Sequence, residues 1–150
     1  MSVTLDANVL LYASDESSEF HGQARTRLES LTRGPEIVYL FWPVVMAYLR
    51  ISTHPTVFDP PLAPARAIAN VERILRLPHV QTAGEQTRFW ERYRDVAVEA
   101  DVRGNLVSDA HVVALMRENG VRSIWTRDRD YRRFPGIAVL DPFADESSPV

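Results

Sequence analysis

The stretch "VTLDANVLLYA", residues 3 to 13, sets a carboxylate, Asp6, inside an apolar run. Val3 to Leu5 reads as a short buried strand, and "NVLLYA" as the start of a helix or turn behind it. An isolated ionised Asp is costly to bury, so it shifts its pKa or finds a partner. The rest of the chain has to supply that partner.

Two more acids stand in comparable places. "RGNLVSDAHVVALMRENG" predicts a helix over Leu106 to Asn119, with Asn105 as N-cap and Gly120 as its stop. At about 100° per residue, Asp109 falls within about 40° of Val113 and Met116, so it points into the apolar face. His111 shares the other side with Ser108 and Glu118 and is expected to face solvent. Asp128 lies just past the strand "SIWT", Ser123 to Thr126. Short strands alternating with helices argue for an α/β fold with a mainly parallel sheet. Ligands of such sheets sit at the C-terminal ends of the strands. Asp6 and Asp128 are therefore expected at one edge. Three converging carboxylates repel unless a cation neutralises them. Mg²⁺ or Mn²⁺ suits hard oxygen ligands, and such an ion activates water and stabilises a phosphodiester in displacement. Taken singly, each acid has a plainer use. Asp6 would pair with an Arg, and Asp128 would make an Asx-turn.

The remaining elements follow from apolar spacing and breakers. Helices are expected over His21 to Arg33, stopped by Gly34-Pro35, over "PVVMAYLRIS" from Pro43, over Ala65 to Leu77 and over Glu85 to Ala100. Ile37 to Leu40 reads as a strand or a helix lead-in; His79 to Thr82 and Ile137 to Leu140 read as strands. "THPTVFDPPLAP" is a proline-rich loop. A single domain is expected over residues 1–143, with a tail over 144–150. Without cysteine there is no thiolate metal site. Without a long apolar stretch or a signal-peptide pattern, the expected location is the cytoplasm.

A net charge of −3 argues against a generic polyanion binder. The distribution qualifies that, since all 17 basic residues are arginine. Asp101 to Pro135 holds seven Arg against five acids, 7 − 5 = +2. Arg127, Arg129, Arg132 and Arg133 crowd around Asp128 and are candidates for gripping phosphates; a solvated turn is the plainer reading. Asp101 and Arg103 are expected to form a structural ion pair, and Trp125 to sit in the core. His21, His54, His79 and His111 have no metal-ligand spacing.

Three motifs together, in order, resemble the PIN-domain ribonucleases, and specifically the VapC-type toxins of bacterial toxin–antitoxin pairs. "LDANVLLYA" is similar to their opening strand, with Asp6 as metal ligand and Asn8 behind it. "GNLVSDAH" matches a later acidic motif, with Asp109 as ligand and Ser108 beside it. "WTRDRDYRRF" matches the last, with Thr126, Asp128 and Asp130 as a possible extra acid. "FWPVVMAYLRISTHP" resembles a subgroup common in mycobacteria and other actinobacteria. The resemblance implies a three-layer α/β/α sandwich around a mostly parallel sheet. It also implies Mg²⁺- or Mn²⁺-dependent cleavage of a structured RNA such as tRNA or rRNA, inhibition of translation, a cognate VapB-type antitoxin and a homodimer. Asp6, Asp109 and Asp128 would be the metal-binding, catalytic acids. Asn8, Ser108, Thr126 and Asp130 would support them or touch substrate, and the four arginines would hold RNA. Apolar surface near the Pro43–Ile51 helix is where a partner helix would dock. One departure stands out. Most members carry a Glu where this chain has Tyr48, and no acid lies between Glu36 and Asp59.

Two other readings compete. A phosphoaspartate receiver or phosphatase would need a lysine, and this chain has none. A PIN scaffold that has lost catalysis and binds RNA or a protein partner draws its support from Tyr48.

Overall fold

The computed structural model describes residues 1–144; nearly all of the expected tail lies outside the described residues. Five strands form one all-parallel sheet: β1 (Ser2–Leu5), β2 (Ile37–Phe41), β3 (Val80–Ala83), β4 (Ser123–Trp125) and β5 (Ala138–Leu140). Their order is β3-β2-β1-β4-β5. Six helices connect them: α1 (Ala7–Ser14), α2 (His21–Arg33), α3 (Trp42–Ser52), α4 (Pro64–Leu75), α5 (Phe89–Glu99) and α6 (Leu106–Glu118). Crossovers between parallel strands are right-handed. The chain builds outward from β1 to β3, then returns to place β4 on the other side of β1. Handedness therefore puts α1 to α4 on one face and α5 and α6 on the other, which gives the expected three layers. The direction switches between β1 and β4, and that switch opens a crevice at the strands' carboxyl ends.

β1 is the central strand, with Val3, Thr4 and Leu5 buried. A strand covered on both faces favours apolar side chains, as Val3 and Leu5 are, and its buried Thr4 hydroxyl is satisfied by donating to the Tyr39 carbonyl at 2.8 Å. α6 is the other buried element, with Ala110 and Val112 to Met116 inside. Its end behaves as its sequence predicts: Gly120 adopts φ 69°, and the Val121 amide donates to the Met116 carbonyl at 2.8 Å. Prolines open α3 and α4 within their first turns.

Some boundaries differ. α5 begins at Phe89 rather than Glu85, because the Glu118 carboxylate takes the Gln86 and Arg88 amides at 2.9 and 3.0 Å. Asn105 makes no side-chain cap; it has helical dihedrals, in a turn closed by the Leu106 amide on the Arg103 carbonyl. A 3-10 turn over Arg129–Arg133, absent from the sequence reading, follows β4.

Leu5, fully buried on the central strand, anchors the site's position. Leu5→Ala should lower the free energy of unfolding by about 2–5 kcal/mol in urea titrations.

Candidate active site

Asp6 leaves β1 with extended dihedrals and caps α1. Its Oδ1 accepts the Ala7 amide at 2.7 Å, a placement that favours an anion at a helix N-terminus. Its Oδ2 accepts the Thr126 hydroxyl at 2.7 Å and the Asn8 amide at 3.2 Å. Thr126 is buried just past β4, and its oxygen also accepts the Asp128 backbone N–H at 2.9 Å and the Asn8 amide at 3.2 Å. One donor and two acceptor positions saturate a hydroxyl. Thr126 thus ties the end of β1 to the turn that carries Asp128. Asn8 Oδ1 is buried with no hydrogen-bond partner among the described residues.

Asp128 does make the Asx-turn that sequence allowed: its Oδ1 accepts the Asp130 amide at 2.9 Å and opens the 3-10 turn. That turn swings Asp130 and Tyr131 toward α6. Carboxylate oxygens of Asp109, Asp128 and Asp130 then lie within 4.8 Å of one another. Asp109 and Asp128 are half-buried and Asp130 is exposed. Asp6 stands outside this trio, and its near partners are neutral donors rather than a second ion.

Electrostatics reach across the gap. Burial pushes the Asp6 carboxyl up, the Thr126 and Ala7 hydrogen bonds pull it down, and Asp128 pushes it up again. Burial and the charges of Asp128, Asp6 and Asp130 raise Asp109 to about 7, against a bond from Tyr131. Each charge that shifts Asp109 is negative. Tyr131, nearly fully buried, faces Asp109 and is held well above the ordinary phenol range by burial and by those carboxylates. Three hard oxygen donors and an uncompensated negative field suit a divalent cation.

The other expected residues divide. Ser108 is exposed on α6 beside Asp109. Arg127, Arg129, Arg132 and Arg133 are exposed. Arg127 lies over the Phe20 ring at 3.9 Å rather than over the acids. His111 is half-buried, paired with Glu85 and 5.2 Å from the Phe89 ring, not free in solvent. Asp101 and Arg103 form the expected exposed ion pair at 3.1 Å. Trp125 is half-buried and packs against the core, with the Arg27 guanidinium 4.4 Å from its ring. Tyr48 is buried; its hydroxyl bonds Ser14 at 2.7 Å and Asn70 at 3.0 Å, and no acid. It lines a cavity of about 370 Å³ between α1, α2, α3 and α4 that contains none of the four aspartates. Sequence reasoning missed Tyr131 as a site residue; its place three positions after Asp128 was the available signal.

Residues 3–137 match the PIN domain family. Ribonuclease VapC48 of Mycobacterium tuberculosis is 50% identical over 144 residues, which is 96% of this chain and 99% of that protein. The crystal structure of M. tuberculosis VapC20, described as a sarcin-ricin loop cleaving toxin, has a TM-score of 0.65 at 19% identity and covers 91% of this chain and 99% of its own. DNA-bound VapBC from Salmonella typhimurium has a TM-score of 0.67 at 18% identity, covering 95% and 98%. These structures carry the fold. The chain belongs to the PIN-domain family, and within it to the VapC type of toxin.

Because folding raises Asp109 from an ordinary 3.8 to about 7, the folded state holds its proton longer than the unfolded chain. That contribution to stability is complete below about pH 4 and is lost as pH rises through about 7. Asp109→Asn cannot ionise. In EDTA its melting temperature should exceed the parent's at pH 8, with the gap opening from about pH 4 and levelling above about pH 7. Equal melting temperatures at every pH would contradict this.

Proposed function

We propose that this chain is a metal-dependent endoribonuclease toxin. It cleaves a structured RNA of the translation apparatus, tRNA or rRNA, in the cytoplasm and so inhibits translation. The observation that carries the reading is the convergence of Asp109, Asp128 and Asp130 beside Asp6 at the β1–β4 switch point. Asp6, Asp109 and Asp128 would hold Mg²⁺ or Mn²⁺, with Asp130 as a further oxygen donor. A bound divalent ion would supply an activated water and neutralise charge at the phosphodiester. Asp6 keeps its orientation through Thr126, Asn8 and the α1 amide. Tyr131 faces Asp109 from the 3-10 turn. The arginines around Asp128, with Ser108, would meet the phosphate backbone.

A VapB-type antitoxin and a homodimer belong to the same proposal. VapC-type relatives and the VapBC fold neighbour support the first. Exposed Trp42 and Met46 on α3 supply apolar surface for a partner helix. No helix among the described residues is long and apolar enough to cross a membrane. One observation favours the rival scaffold reading: Tyr48 faces Ser14 and Asn70 at the position where the family resemblance implies a Glu.

The test is digestion of total cellular RNA by the purified protein with Mn²⁺, Mg²⁺ or EDTA, mapped by 5′-end sequencing. Discrete metal-dependent cuts are expected, slowed about 100-fold or more in Asp109→Asn. Intact RNA under every condition, with no antitoxin in the preparation, would overturn the enzyme and leave the scaffold.

A further inference from the structure

Arg127 immediately precedes Asp128, yet it does not fall onto the carboxylates beside it. Its guanidinium lies 3.9 Å from the Phe20 ring centroid and 5.7 Å from that of Phe143. Phe20 and Phe143 stack on each other at 4.7 Å and 17°, and Tyr12 meets both edge-on at 5.4 and 5.3 Å. Three rings from α1, the start of α2 and the last described segment thus form one platform. Arg27 clasps that segment, its Nε donating to the Pro142 carbonyl at 3.4 Å. Arg127 itself is exposed and makes no ion pair among the described residues.

An arginine on a flexible stem near three aspartates would be drawn into a self-neutralising pair. Stacking on Phe20 opposes that collapse and fixes the planar fork at the rim. A stacked guanidinium keeps its edge donors available, and that edge matches a phosphate bidentately. Holding the side chain in place beforehand also reduces the ordering cost of binding. Arg129, Arg132 and Arg133 have no ring contact of this kind among the described residues.

We propose that Arg127, held on the Phe20–Phe143 platform, is the phosphate anchor of an RNA subsite on the α1–α2 side of the acidic cluster. The proposal rests on the ribonuclease reading and names where that substrate's backbone is gripped. Phe20 acts through Arg127 as a positioning residue.

The test is binding of bulk tRNA, in the Asp109→Asn background so that no cleavage intervenes, followed by fluorescence anisotropy. Arg127→Lys keeps the charge and loses the fork; Phe20→Leu keeps the arginine and frees it. Each should weaken binding about three- to tenfold, and the double variant should be no weaker than the worse single one. Arg76→Lys, just past the C-terminus of α4, serves as a surface control. Melting curves accompany every variant. Unchanged affinity in both single variants, or effects that multiply and track a lowered melting temperature, would overturn the subsite and make Arg127 a latch for residues 141–144. If Asp109→Asn with Arg127 and Phe20 intact shows no salt-dependent affinity for either bulk tRNA or ribosomal RNA, the ribonuclease reading falls, and the subsite with it. Affinity that ignores both substitutions removes the subsite alone.

Discussion

One hydroxyl joins the two halves of the site. Thr126 donates to Asp6 and accepts from Asn8 and the Asp128 amide, with no lone pair or proton to spare. Asp6 closes the central strand, while Asp128 opens the turn that brings in Asp130 and Tyr131. Backbone pairing runs along the same seam, the Asp6 amide donating to the Trp125 carbonyl at 3.0 Å. The switch in strand order creates the crevice, and Thr126 sets its two walls in register. A buried hydroxyl with every bond made is directional in a way that apolar packing is not.

The acids at that seam work against folding. Burial and mutual repulsion raise Asp109 and Asp6, and the surrounding bonds offset this in part. The raised Asp109 acid, the buried Tyr131 side chain and the orphaned Asn8 oxygen lie within one small region. Such local cost is what functional sites carry. A divalent cation would reverse its sign, because the repulsion that costs the apo protein becomes attraction for the ion.

Much of this was legible in the sequence, for local reasons. Leu5 and Asp6 declare a strand end because an acid interrupts an apolar run. The phase of α6 sets Asp109 between core residues, since a helix repeats every 3.6 residues regardless of neighbours. The pieces that escaped depend on distant partners. The 3-10 turn comes from an Asx-turn of Asp128 that Thr126 secures, so Tyr131 joined the site without a periodic signal, while Asp130 was legible only through the motif it shares with Asp128. The late start of α5 reflects Glu118, a residue on another helix. His111 looked solvent-facing by phase, and Glu85 and Phe89 from a neighbouring segment cover it. The Phe20–Phe143 stack unites opposite ends of the chain.

The central claim is that the clustered aspartates form a divalent-cation site. Calorimetric titration of Mn²⁺ into the protein near pH 7, in buffers of differing ionisation enthalpy, tests it directly. The account predicts saturable binding, proton release as Asp109 ionises, and loss of both in an Asp128→Asn, Asp130→Asn double variant. Absence of binding at millimolar Mn²⁺, or binding that survives the double substitution unchanged, would contradict it.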